Sequence, residues 1–116
     1  MSFVKCYDVA AMVIEDANER FNPLWKINAE KLDIFKQYCD AADALSEEFN
    51  GESFEVEVDE ITMNVTVALE CDEVIIGRDN HPLYELAKRA VRYGFSVSEE
   101  GNLVIKFVFP GLWDTY

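Results

Sequence analysis

From Gln37 to Gly77 the chain contains no lysine or arginine. Histidine is almost missing too: His81 is the single copy, so a site needing two histidines is excluded and any histidine base must be this residue. Cysteine is scarce and badly spaced for pairing. Cys6, Cys39 and Cys71 stand 33 and 32 residues apart, which suits neither a disulfide framework nor the close ligand pairs of a zinc site. Free thiols in a reducing, cytoplasmic setting are the expectation. The glycines, Gly51, Gly77, Gly94, Gly101 and Gly111, are isolated, and no phosphate loop or dinucleotide fingerprint can be assembled from them. Near the N-terminus the apolar run Val9 to Ile14 is only six residues long and is flanked by Asp8 and Glu15, unlike a signal peptide or a membrane span. No cofactor, metal or membrane contact is therefore expected.

What is present is a globular composition. The chain has 116 residues, half of them apolar, and a formal net charge of -13. That length suits one domain over 1–116 with a core of its own, and so much apolar content places the charge on a folded surface rather than in a disordered chain.

Apolar periodicity predicts the elements. Phe3, Tyr7, Ala11, Ile14, Ala17 and Phe21 recur at helical spacing over residues 3–21, and Asn22-Pro23 stops that helix. Asn28 is a good cap for a second helix over 29–50, whose Leu32, Phe35, Cys39, Ala42, Leu45 and Phe49 form the stripe, with Asp40, Asp43 and Glu47 opposite and Gly51 as left-handed stop. The period then becomes two. Apolar positions are even through Phe54, Val56 and Val58 but odd through Ile61, Met63, Val65, Val67 and Leu69. One straight strand cannot bury both sets, so a hairpin turning at Asp59-Glu60 is expected, with Val58 opposite Ile61, or else a bulge. A short strand at Val74–Ile76 follows. A third helix begins near Pro82 with Leu83, Leu86, Ala87, Ala90 and Val91 inward, and stops at Gly94. A last hairpin turns at Glu99–Asn102, and 110–116 is a short aromatic tail carrying Trp113 and Tyr116. The order is α-α-β-β-β-α-β-β, an α+β fold with a mainly antiparallel sheet and helices packed on one face.

The segment from Gln37 to Gly77 holds twelve acids and accounts for nearly all of the net charge. Asp40, Asp43, Glu47, Glu48, Glu52, Glu55, Glu57, Asp59 and Glu60 are expected to form one negative surface. Such a surface repels DNA and anionic lipid and attracts basic protein, in a salt-dependent way. It serves solubility, or it is a docking site for a basic protein, or it imitates the phosphates of DNA toward a nucleic-acid-binding protein. A small enzyme is the competing class, using carboxylates with His81 or Cys71, although ten residues between those two carry no geometric information. In outline, the run of helix, three strands, helix and two strands resembles type III secretion chaperones, which are small, acidic and dimeric. That resemblance implies a non-enzymatic protein-binding role and a homodimer. This chain departs from the pattern in starting with two helices and in ending on a strand and short tail.

Overall fold

The structure, a computed structural model, describes residues 5–21, 25–72 and 82–115. The expected strand at Val74–Ile76, the helix-start residues through His81, and Tyr116 lie outside the described residues. The described elements are α1 (Cys6–Phe21), β1 (Trp25–Ile27), α2 (Ala29–Glu48), β2 (Gly51–Val58), β3 (Val65–Cys71), α3 (Pro82–Arg89), β4 (Arg92–Val97), β5 (Leu103–Phe109) and β6 (Trp113–Thr115). The fold is α+β. Strands β2-β3-β5-β4 form an antiparallel sheet with helices packed against it.

Cross-strand neighbours share a face, so the register sorts the sheet's side chains. Phe54 pairs with Leu69 and Leu69 with Ile105; Val56 pairs with Val67 and Val67 with Phe107. All six are buried beneath the helices, as are Val65 and Phe109. From α2, Phe35, Cys39, Ala42, Leu45 and Phe49 complete the core, as their spacing predicts. The α1 stripe is turned by about one residue from expectation: Cys6, Ala10, Ile14 and Ala17 are buried, while Tyr7 and Ala11 are half-buried.

The first hairpin exists, but its loop is six residues long and not two. Val58 faces Val65 rather than Ile61, an even slip that keeps the apolar face intact. Asp59 makes this loop: its Oδ1 accepts the amides of Ile61 at 2.7 Å and Thr62 at 2.9 Å, while its carbonyl accepts that of Met63 at 2.8 Å. Ile61 consequently projects outward, 92% exposed, and Met63 is buried with φ 65°. A bulge occurs instead at the start of β2, between Gly51 and Ser53.

Helix α2 starts as expected, with Asn28 Oδ1 accepting the Lys31 amide at 3.0 Å. Its left-handed terminal residue is Asn50, φ 52°, not Gly51. Helix α3 ends at Arg89, five residues before Gly94, which lies within β4. The aromatic tail is structured: β6 pairs with β1, Leu112 and Trp113 are buried, and the Trp113 indole donates to Asn18 Oδ1 of α1 at 3.1 Å. Asp114 accepts from Asn28 Nδ2 at 2.6 Å and Lys31 Nζ at 3.0 Å, which hold its carboxyl below the usual range and tie the C-terminal strand to the start of α2.

Gly111 permits the close approach of this C-terminal stretch to the hairpin loop. A Cβ there would lie 2.7 Å from the Met63 carbonyl oxygen. Gly111→Ala should therefore destabilise the protein by about 1–3 kcal/mol, because main chain must move to relieve the clash. Gly94→Ala, with nothing within 4 Å of the added carbon, should leave the urea midpoint unchanged or slightly raised.

Candidate binding surface

The acids of the 37–77 segment do not form one surface. Glu55 and Glu57 alternate with Phe54 and Val56 on β2, so they point from the sheet face that the helices leave open, and both are exposed. Asp40, Glu47 and Glu48 are exposed on α2, in the helical layer on the other side of the sheet. Glu52 lies in β2, and its side chain is outside the described part of the structure.

Asp43, Asp59 and Glu60 have local duties that remove them from a free acidic surface. Asp43 is 9% exposed, and its Oδ1 accepts the Cys6 amide at the start of α1, 2.7 Å away. The helical spacing assigned it to the wet side; α2 buries a wider arc than one stripe, including Ala42, Asp43, Leu45 and Ser46, because α1 packs beside it. Burial pushes the Asp43 carboxyl up, against the opposing pull of the Cys6 amide. Asp59 is used within its loop, and the Thr62 and Ile61 amides hold its carboxyl below the usual range. Glu60 pairs with Arg20 of α1, which also meets Asp16 at 3.2 Å.

Three cross-strand rows make up the open face. They are Ser53, Glu70, Val104 and Ser96; Glu55, Ala68, Lys106 and Gly94; and Glu57, Thr66, Val108 and Arg92. A concavity of about 320 Å³ lies on this face, with Glu55 and Glu70 along one side, Glu99 and Glu100 of the β4–β5 turn along another, and Lys106 between them. Glu55, Glu57, Glu99 and Glu100 have no ion-pair partner among the described residues. Glu70 accepts from Asn102 Nδ2 at 3.0 Å. Glu99, Glu100, Lys106 and Arg92 are not among the residues expected on the acidic surface, because they lie outside the acid-rich segment, and Arg92, expected on the exposed side of the third helix, lies in β4. The alternation of β5 was the available signal: with Ile105 and Phe107 inward, Lys106 has to face the opposite side.

The thiols are built for packing. All three are buried and free. Burial, with Asp72 and Glu70 nearby, pushes the Cys71 thiol up, and its sulfur sits 3.6 Å from the Leu103 carbonyl. A protonated, buried thiol is a poor nucleophile, so Cys71 is unsuited to the role that a Cys–His pair requires. The Cys39 thiol is also pushed up, chiefly by Cys6 and burial. His81 lies outside the described residues. Among the described residues no group of three His, Cys, Asp or Glu is placed to hold a metal ion, and no helix is long and apolar enough to cross a membrane. A second hollow, about 410 Å³ and mostly apolar, lies between α2, the 59–64 loop and the C-terminal segment, walled by Phe35, Tyr38, Met63, Phe109 and Trp113. No protein family, curated protein or solved structure matches this chain.

Proposed function

We propose that this protein is a non-enzymatic binding module and that the open sheet face carrying Glu55 and Glu57 receives a basic segment of another protein. The supporting observation is the pair itself. Two exposed carboxylates stand about 7 Å apart on a rigid strand, with no ion-pair partner among the described residues, and Glu55 shares its concavity with Glu70, Glu99 and Glu100. Exposed carboxylates on a fixed scaffold attract a lysine- or arginine-rich segment without an ordering cost of their own, and the attraction weakens with salt. Lys106, in the middle of the face, favours a protein partner over imitation of DNA. A surface imitating phosphates has no use for a cation there, whereas a peptide bearing both signs can use it.

Fluorescence anisotropy of a labelled lysine- and arginine-rich peptide, at low and high salt, tests this reading. Binding should fall steeply with salt and drop several-fold in Glu55→Gln/Glu57→Gln, while Asp40→Asn/Glu47→Gln on the helical layer has little effect. Equal losses from the two double variants would mean that net charge alone attracts the peptide, and the assignment to this face would be wrong.

A further inference from the structure

Among the described residues β4 is an edge strand, hydrogen-bonded on one side to β5 and unpaired on the other. Tyr93, Phe95 and Val97 pair with Phe107, Ile105 and Leu103, so they continue the face that the helices cover. The cover does not reach them. They are 62%, 55% and 69% exposed, and Val91 beside them is 54% exposed. Every residue of β4 except Gly94 is exposed, in a sheet whose other strands bury one face. A flat apolar edge of this kind promotes association unless something pairs with it.

We propose that β4 pairs antiparallel with β4 of a second copy, about a two-fold axis at Phe95, to give one continuous eight-stranded sheet. Two features select a second copy as the occupant. The first is shape: only odd-to-odd pairing keeps all the apolar side chains on one face, and with Phe95 against its own image, Tyr93 meets Val97 of the second copy. The second is charge. Exposed Arg92 opens the strand, and exposed Glu99 and Glu100 follow its end. In this register Arg92 lies opposite Ser98 of the second copy, next to that copy's Glu99 and Glu100, and symmetry repeats the contact. None of these three has an ion-pair partner among the described residues of its own chain. Residues 82–100, through α3, β4 and the turn after it, hold Glu85, Glu99 and Glu100 against Lys88, Arg89 and Arg92, a local charge of zero in a chain of -13. Two copies thus meet at a stretch that carries none of the net negative charge. The opposite edge, β2, carries Glu55 and Glu57 and would repel its own image. A two-fold contact also closes on itself, so the edge is covered without growth into a filament.

Sedimentation equilibrium of the full chain tests the proposal. Glu99 and Glu100 border both surfaces, but Glu55 and Glu57 belong to the basic-partner reading alone, so Glu55→Gln/Glu57→Gln should dimerise as the wild type does. At loadings up to about 100 µM the mass should rise from 13.3 kDa toward twice that value. Phe95→Gln, a surface change that circular dichroism should show to be folded, is expected to weaken the dimer about tenfold or more. Arg92→Glu should weaken it too, and adding Glu99→Arg and Glu100→Arg to that variant should restore it. A single-chain mass throughout, or a dimer indifferent to Phe95→Gln, overturns the proposal. Failure of the charge exchange to restore association overturns the antiparallel arrangement on which it rests.

Discussion

Phe109→Ala should lower the free energy of unfolding by about 3–5 kcal/mol, a large share of the roughly 5–15 kcal/mol typical of a domain. Phe109 is the last residue of β5 and the meeting point of three aromatic rings. It stacks on Tyr38 with centroids 4.6 Å apart, meets Phe35 edge to face at 6.1 Å, and lies 6.0 Å from Phe107. Truncation removes the ring's burial and its contacts with α2 together, and the neighbouring rings cannot all turn to fill the gap. The hollow of about 410 Å³ that Phe109 borders should deepen in the variant. Urea denaturation checks the magnitude, with Phe95→Ala as comparison. The same atoms are lost there, but from an exposed site, and the change in a dilute, monomeric sample should stay within about 0.5 kcal/mol.

Substitution of Asp43 should separate two effects that act in opposite directions. Asp43→Ala leaves the Cys6 amide without its acceptor in a buried place, which should cost about 1–3 kcal/mol. Asp43→Asn keeps an oxygen for that amide and removes a buried charge, so at neutral pH it should equal or exceed the wild type in stability. The pH dependence carries the sign. Because burial raises the carboxyl's pKa in the folded state above its unfolded value, the folded state holds the proton more tightly. Between the ordinary aspartate value and the raised one, this group makes stability fall as pH rises; above that window the penalty is constant. The difference in unfolding free energy between wild type and Asp43→Asn, followed from about pH 4 upward, should therefore grow in favour of the variant and then level off. A flat difference would show that Asp43 titrates as an ordinary aspartate.

The two variants also mark where the sequence was readable. Phe109 was legible, since the alternation of Leu103, Ile105, Phe107 and Phe109 names the inward side of β5 without any partner being known. Asp43 was not. Its place in the helical period is that of a wet residue, and only the arrival of the α1 N-terminus at that turn of α2 makes it a buried acceptor. The hairpin shows the same division within one element. The switch from even to odd apolar positions around Asp59 required a reversal, but any even slip satisfies the parity; the six-residue loop goes with Asp59 accepting the amides two and three residues on, a local bond that apolar periodicity does not report. Likewise the acid-rich segment is a fact of sequence, while its division between the helical layer and the open sheet face follows from the sheet lying between them.

The missing lysines and arginines between Gln37 and Gly77, the alternating strands and the α+β class are thus properties of the sequence alone, because each depends on residues close together in the chain. Which acids are free, which are already used by an amide or by Arg20, and which face Lys106 across the sheet were decided only by tertiary structure. Those relations join residues as far apart as Glu55 and Lys106, or Cys6 and Asp43, and no local period encodes a distance between elements that meet only after folding.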